Sequence, residues 1–373
     1  MIRMGKYPNA SYAGLGAPPL KAALNTAGVD YSRVGAVFCG TSFGGMMTGQ
    51  RILKELGIGG IPVVNIDNAC SGGATAVHLA WQAVSEGRTD VAVAIGVDKL
   101  TQFGGGTLPL VTEDRDVNKG IAMPAVYAMR AQRYLYETDA TVEDLARVSV
   151  KSRAHGALNP FAQMRNPTSV SEVLSARKIA DPFTLPMCCP TGDGAAAVVL
   201  VSSDYFRKHG GPAIAVRGSV LHSGLVNEST EVSAIRPTIS EESAKDLYAM
   251  SGVEPADIDT VELHDAFASA ELIYYETFGL AAPGEGFKLI RDGSTTFGGR
   301  IVANPSGGLL SKGHPVGASG VAQVAEMFWQ LTGTAGARQV EGARLGMTHV
   351  TGGGLSGMDH GACTMHMFES VRS

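Results

Sequence analysis

Two stretches of this sequence share one layout. Residues 63–73, VVNIDNACSGG, and residues 300–308, RIVANPSGG, each read as a strand that runs past an asparagine into small residues. Each then leads toward an amphipathic helix, GATAVHLAWQAVSEG (73–87) in the first case and SGVAQVAEMFWQLTG (319–333) in the second. The recurrence hints at internal duplication. A chain of 373 residues also exceeds the size that one hydrophobic core usually reaches. Both observations point to two similar α/β halves.

Short β-branched or Ala/Val-rich runs at VGAVFCG (34–40), PVVNID (62–67) and VAVAIGVD (91–98), with a helix between the last two, predict a parallel sheet. From about residue 101 to 180 this alternation stops. Gly-rich FGGGTLPL, helical PAVYAMRAQRYLYE and VEDLARVSVKSRAHGA, and Pro- and Asn-rich NPFAQMRNPTS predict a mostly helical insertion resting on the core. Strands resume at GAAAVVLVSS (194–203) and AIAVRGSVLHSG (213–224). After about 225 the layout recurs, with helix SEESAKDLYAMSG, strand DTVELHD, RIVANPSGG with its helix, and a closing strand pair. The expected organisation is a first half over residues 1–224, carrying the insertion at about 101–180, and a second half over residues 225–373. Five-stranded sheets would pack around shared helices.

Composition excludes several classes of function. Hydrophobic residues make up 45% and charged residues 17%, which fits a compact enzyme and argues against disorder or a coiled coil. The 48 glycines, nearly twice the ~7% usage of an average protein, imply many turns and close backbone approaches. A formal net charge of −5 without a basic run argues against nucleic acid as a partner. No apolar run approaches the ~18 residues of a membrane span, and the N-terminus MIRMGKYPNAS lacks the apolar segment of a signal peptide. The five cysteines (39, 70, 188, 189 and 363) are odd in number and form no C-x-x-C pair, so neither a disulfide framework nor a zinc site is encoded. These features predict a soluble protein of the reducing cytoplasm.

Of the five, Cys70 has the most suggestive place. It precedes the expected helix 73–87, where free N–H groups and the helix dipole favour a thiolate. A buried cysteine at such a junction is more often packing than catalysis. Gly72 and Gly73 shift that balance, because neighbours without side chains let a carbonyl and a backbone N–H come close. A thiolate nucleophile needs a base. His314, in SKGHPVGASG (311–320), is pinned between Gly313 and Pro315 ahead of a helix, a poor place for a core residue. Imidazole has the right affinity for a thiol proton. His264, in VELHDAF (261–267), stands at a strand's C-terminal end, the edge where α/β sheets build their sites. A capping role beside Asp265 fits its spacing equally well. His349, in MTHVTGGG (347–354), stands at the mouth of a Gly-rich turn, and alone would read as a strand-end histidine bonded to a carbonyl. His78 and His155 are weaker candidates. His360 and His366 flank Cys363, with His366 on the opposite strand face from that cysteine.

The combination of NACSGG (68–73), CCPTGDGAAAVVLVSS (188–203), HDAF (264–267), NPSGGLLSKGHPVGASGVAQVAE (304–326) and the terminal Gly-rich strand pair resembles the thiolase superfamily. It is most similar to the sterol-carrier-protein-type thiolases and their bacterial and archaeal relatives, through nearly the whole chain. The resemblance implies an α/β fold of two similar βαβαβαββ halves forming a five-layered α-β-α-β-α core, with a mostly helical loop-domain insertion. It implies that Cys70 carries the acyl group and that His314 activates it. His264 would help form an oxyanion hole, where other thiolases carry Asn in an N-E-A-F motif. His349 would serve the second-step oxyanion site or acid/base chemistry. Backbone N–H groups of Cys70 and of a glycine near Gly354 would complete the two holes, and loss of one donor from such a hole costs roughly 3–4 kcal/mol of barrier. Coenzyme A is implied as a substrate, with no metal in this chain. Lys151, Arg153 and Arg177 are guesses for contacts to its phosphates, each more often a solvated surface charge.

Three departures from the family pattern matter. Val350 stands where other thiolases place a second catalytic cysteine, and Ala266 where the sterol-carrier type often carries one. His349, Cys363 or a water held by His264 and His314 is then left to supply the enolate proton. The terminal loop GGGLSGMDHGA is several residues longer than the usual G-L-G-G-A turn, which implies a pocket mouth shaped for an unusual acyl group. MIRMGKYP matches the segment after the first strand of relatives, so that strand is expected to be absent. Relatives with these features resemble the large subunit of a pair, which implies a homodimer joined by a small zinc-ribbon and OB-fold companion at the CoA entrance. The implied reaction is ping-pong thiolysis of a 3-oxoacyl-CoA, such as an aroylsuccinyl-CoA in anaerobic toluene degradation. An acetoacetyl-CoA thiolase is the plain alternative. Cys70 argues against a third reading, a retro-aldolase of the same fold acting on a CoA-linked side chain.

Overall fold

In the computed structural model, residues 1–109, 115–224, 236–353 and 359–371 are described. The first hundred residues run α1 (Tyr12–Ala27), β1 (Ala36–Gly40), α2 (Thr48–Lys54), β2 (Val63–Ile66), α3 (Gly72–Ser85) and β3 (Val91–Lys99), with the three strands and α3 where the sequence predicted them and α1 and α2 added. The insertion follows as α4 (Arg115–Asn118), α5 (Met123–Glu137), α6 (Val142–Leu158) and α7 (Val170–Ser175), then a hairpin of β4 (Lys178–Ala180) and β5 (Phe183–Thr184). The chain returns through β6 (Asp193–Val201), α8 (Ser203–His209) and β7 (Ile214–Ser223). Its second half contains α9 (Thr238–Ser251), β8 (Thr260–Glu262), α10 (Ala268–Thr277), α11 (Gly286–Arg291) and β9 (Val302–Ala303). It closes with α12 (Gly308–Lys312), α13 (Val316–Thr332), β10 (Leu345–Gly352) and β11 (Ala362–Ser370).

These strands form two sheets of matching order, β2-β1-β3-β6 and β9-β8-β10-β11-β7. In each, parallel strands sit on one side and an antiparallel partner follows the last of them. The first sheet has four strands where five were expected. Among the described residues, the outer edge of β6 is met by the N-terminal segment, where Ile2 N donates to Ala195 O at 3.0 Å and Gly5 bridges Asp193. Strand β7 lies in the second sheet, paired with β11 over its whole length. A division at 224/225 therefore cuts β7 from its own sheet, and the sheets themselves separate between β6 and β7.

Helices α3 and α13 fill the layer between the sheets. Of α13, Val316 to Met327 are all buried, and of α3, Gly72 to His78, as a helix with sheets on both faces requires. Glycines set their spacing. A Cβ at Gly73 would overlap the Gly317 carbonyl, and one at Gly320 would overlap the backbone of Ala74. The N-terminal turns of the two helices therefore touch backbone to backbone, and the residues just before each helix must face one another. Those residues are Cys70 and His314.

Outside the first sheet lie α1 and α2, and outside the second lies α9, which completes the five layers. Helix α1 carries Pro18 and Pro19 in its interior, a pattern that reads as a break in sequence. Leu20, Leu24 and Ile52 are fully buried beneath it, each stabilising by about 2 kcal/mol. The insertion packs through α5 and α6 onto α10, α11 and α12, so it roofs the outer side of the second half.

Candidate active site

The turn that presents Cys70 is a sharp one. Asp67 Oδ1 accepts from Ala69 N at 3.0 Å, while Ser71 N and Gly72 N donate back to the carbonyls of Asn68 and Ala69. Ala69 pivots the turn at φ 47°, a left-handed conformation that costs a residue with a side chain on the order of 1–2 kcal/mol. The turn is tied across the sequence: Ser71 Oγ and Thr364 Oγ1 hydrogen-bond at 2.8 Å, and Gly352 lies where a Cβ would overlap Asn68 O. Cys70 itself is only half-buried, so a thioester can reach it.

His314 Nε2 stands 3.2 Å from Cys70 Sγ. Its Nδ1 lies 2.7 Å from Ser319 Oγ, and that hydroxyl donates to Pro315 O at 3.0 Å. A hydroxyl has one hydrogen, so Ser319 accepts from Nδ1–H, and the lone pair of the neutral ring is left on Nε2, facing the thiol. Asp98 anchors the loop by accepting from Gly317 N at 2.6 Å, from Ser42 N and Phe43 N, and from Thr41 Oγ1.

His264 follows β8. Leu263 N donates to Asn304 Oδ1 at 2.7 Å, which holds the strand end. The His264 ring meets His314 edge to face, with centroids 5.1 Å apart. A ring nitrogen of each and the Cys70 sulfur lie within 4.8 Å of one another, a geometry that a thiophilic metal could also occupy. The capping role falls to the neighbour: Asp265 Oδ1 accepts from Leu309 N at 2.6 Å, at the first turn of α12. Below it, Lys312 and Glu262 form a fully buried pair at 3.2 Å.

Burial sets the protonation states. Desolvation pushes the Cys70 thiol up to about 12, with the Asp98 carboxylate adding to the rise; N–H donors of Cys70 and Gly353 oppose it. Loss of water thus works against the thiolate that the helix N-terminus favours. Burial, then Lys312, depresses His314 to about 4. Burial, then His314, His360 and His349, holds His264 well below the usual imidazole range. Both shifts favour a neutral thiol beside a neutral imidazole.

His349 acts on His264 through space but leaves β10 on the face away from α3. Thr364, the partner of Val350 across β10 and β11, faces α3, so His349 on the alternate position faces away from it. Its ring is held by Tyr274 and Phe278, with centroids at 4.3 and 4.8 Å, and by Ser240 Oγ at 3.0 Å from Nε2. Cys363 shares that face, with its sulfur 3.9 Å from Ser240 Oγ. Gly354 lies outside the described residues. His78 and His366 share Ser219 Oγ at 2.8 Å in the core, and His155 Nδ1 lies 3.0 Å from Asn304 O. Lys151 is buried and paired with Glu271 at 2.7 Å, so it is neither solvated nor open to a CoA phosphate; Arg153 is half-buried and Arg177 exposed.

Four residues near the site drew no sequence-based expectation. Ser319, in the first turn of the helix that His314 precedes, is the one whose signal was readable. Tyr127 OH lies 2.8 Å from His360 Nε2, and the Tyr127 ring stacks on Phe267 at 4.5 Å. Cys189 N donates to Ala266 O at 2.9 Å, beside the HDAF segment. Arg130 is buried next to Tyr127.

Comparison with known proteins adds to this geometry. The family profile "Thiolase, N-terminal domain" matches residues 1–172, and "Thiolase C-terminal domain-like" matches residues 219–360. The chain is 44% identical over 351 residues to benzoylsuccinyl-CoA thiolase subunit BbsB of Thauera aromatica, covering 92% of this chain and 91% of that one. It is 36% identical over 369 residues to human sterol carrier protein 2, covering 94% of this chain and 68% of that one. A solved structure titled "Ltp2-ChsH2(DUF35) aldolase" superposes with a TM-score of 0.85 at 25% identity, covering 100% of this chain and 96% of that chain.

Proposed function

The chain belongs to the thiolase family and is an acyl-CoA acyltransferase, and from that premise we propose that it cleaves a 3-oxoacyl-CoA through an acyl-Cys70 intermediate. The observation that carries this reading is the 3.2 Å approach of His314 Nε2 to Cys70 Sγ, with the other ring nitrogen committed to Ser319. His314 takes the thiol proton as the sulfur attacks the 3-oxo carbon. The bond from that carbon to Cα breaks, its electrons pass to the thioester enolate, and His314 returns the proton to Cα. The shortened acyl-CoA leaves. The thiol of a second CoA then gives its proton to His314, its sulfur attacks the acyl group, and Cys70 departs as a thiolate that recovers the proton. Protons and charges balance with one base, which suits a site with Val350 and Ala266 in place of a second cysteine. His264 and the N–H groups of Cys70 and Gly353 serve as oxyanion donors in this scheme.

The substrate proposed is an aroylsuccinyl-CoA, by similarity to the Thauera relative. The aroyl group would remain on Cys70 and succinyl-CoA would leave. A companion subunit is proposed on two grounds: that relative is itself named a subunit, and the solved neighbour is titled as a complex with a DUF35 component. The same title supports an aldolase as the second reading. Aldol cleavage has no use for an acyl-accepting thiol, so the Cys70–His314 pair favours the first.

Intact-mass measurement after incubation with benzoylsuccinyl-CoA and with acetoacetyl-CoA tests the proposal. Wild type should gain the mass of the transferred acyl group, and Cys70→Ala should gain none. Turnover that continues in Cys70→Ala without any adduct would overturn it in favour of the aldolase.

A further inference from the structure

Arg130 on α5 is 5% exposed, and its Nε and Nη2 have no hydrogen-bond partner. Among the described residues no carboxylate pairs with it. A guanidinium keeps its charge inside a protein, and an isolated buried charge is among the most unfavourable features a fold can carry. The other buried cations are satisfied: Lys151 by Glu271, Lys312 by Glu262 and Arg338 by Glu326. What Arg130 has instead is the face of the Tyr127 ring, 5.7 Å from its central carbon.

Its surroundings are those of a pocket. Arg130 borders a cavity of about 10 Å³ lined also by Tyr127, Pro237, Ala270, Ile273 and Tyr274, room for one oxygen-sized group beside the guanidinium. Tyr127 links this cavity to the catalytic cluster. Its hydroxyl meets His360, and its ring stacks on Phe267 of the HDAF segment. His349 Nδ1 is also buried without a hydrogen-bond partner, and His360 Nδ1 has only Asp359 Oδ1 at 3.9 Å. The walls are otherwise apolar, which suits a hydrocarbon carrying one anionic group and not the hydrated phosphates of CoA.

We propose that Arg130 is the specificity-determining residue for a carboxylate borne on the acyl substrate, which it receives in the pocket formed with Tyr127 and Tyr274. This rests on the thiolase reading and narrows it to 3-oxoacyl-CoA substrates with a free carboxylate. A benzoylsuccinyl thioester has that chemistry, since one carboxyl of the succinyl unit is esterified to CoA and the other is free. The void admits one carboxylate oxygen beside the guanidinium, and the desolvation already imposed on the charge is offset when such an anion arrives.

The test compares wild type, Arg130→Met and Arg130→Lys, each as the full chain with any protein that accompanies it. The readouts are kcat/KM for benzoylsuccinyl-CoA and for acetoacetyl-CoA, KM for CoA, and Tm. The ratio of the two kcat/KM values should fall about 100-fold in Arg130→Met and should be restored only in part by Lys, which keeps the charge but not the two unpartnered nitrogens Nε and Nη2. Arg130→Met should unfold at no lower a temperature than wild type, because it removes an unpaired charge. An unchanged ratio in both variants, a rise confined to KM for CoA, or a lowered Tm in Arg130→Met would overturn the proposal. A wild type that turns over acetoacetyl-CoA alone would overturn it too, leaving the thiolase reading intact. Absence of an acyl adduct with either substrate in wild type would instead remove the thiolase reading itself.

Discussion

Ser319 Oγ accepts from His314 Nδ1 at 2.7 Å while directing its own hydrogen to the Pro315 carbonyl at 3.0 Å. That one relationship fixes which nitrogen of the imidazole faces Cys70. Without it the ring could place its N–H against the thiol, where it could not accept a proton.

Replacing Ser319 with Ala should therefore lower kcat by roughly 10- to 100-fold with little change in KM, since the base is misassigned and the pocket is not altered. Ser319→Thr, which keeps a hydroxyl on the same carbon, should recover most of the loss. Steady-state kinetics with acetoacetyl-CoA decide the matter, and equal losses in the two variants would contradict a tautomer role.

The backbone contact between α3 and α13 gives a second test. In Gly320→Ala the new methyl would overlap Ala74, so the helices must separate. Overpacking of this kind costs about 1–3 kcal/mol, read as a lower urea midpoint. Because Cys70 and His314 sit on opposite sides of that contact, kcat should fall further than the loss of folded protein explains. Unchanged kcat in the folded fraction would show that the pair is held by its loops alone.

Acid should unfold this protein steeply. Burial depresses His314 to about 4 and His155, His349 and His366 to about 3, while free imidazole titrates near 6.5. Below about pH 6.5 the unfolded chain binds protons that the folded one does not, so stability is lost as pH falls. The slope is about 1.4 kcal/mol per pH unit for each such group, continuing down to the depressed values. Tm measured from pH 7.5 to 4.5 should drop across the lower half of that range, and a flat profile would show that these rings are hydrated in solution.

Much of this molecule is legible in the sequence. The period of the apolar residues and the small-residue turns after β2 and β9 announce the duplicated α/β plan, and the segments around Cys70, His264 and His314 mark the three side chains that the fold unites. The misplaced division at 224/225 has a local cause too: nothing in the run 213–224 says which sheet β7 will join. What tertiary structure alone decided was partnership and solvent. Cys70 and His314 are 244 positions apart and meet because glycines let two helix ends touch. His349 lies in a recognisable motif yet turns to the other face of β10. The charge state of the thiol, the pairing of Lys151 and the lack of a partner for Arg130 all depend on how much water and which groups remain around an atom once the chain has closed. A pattern of neighbouring residues encodes caps, turns and periodicity. It holds no record of the desolvation that fixes whether a thiol ionises or a guanidinium waits for an anion.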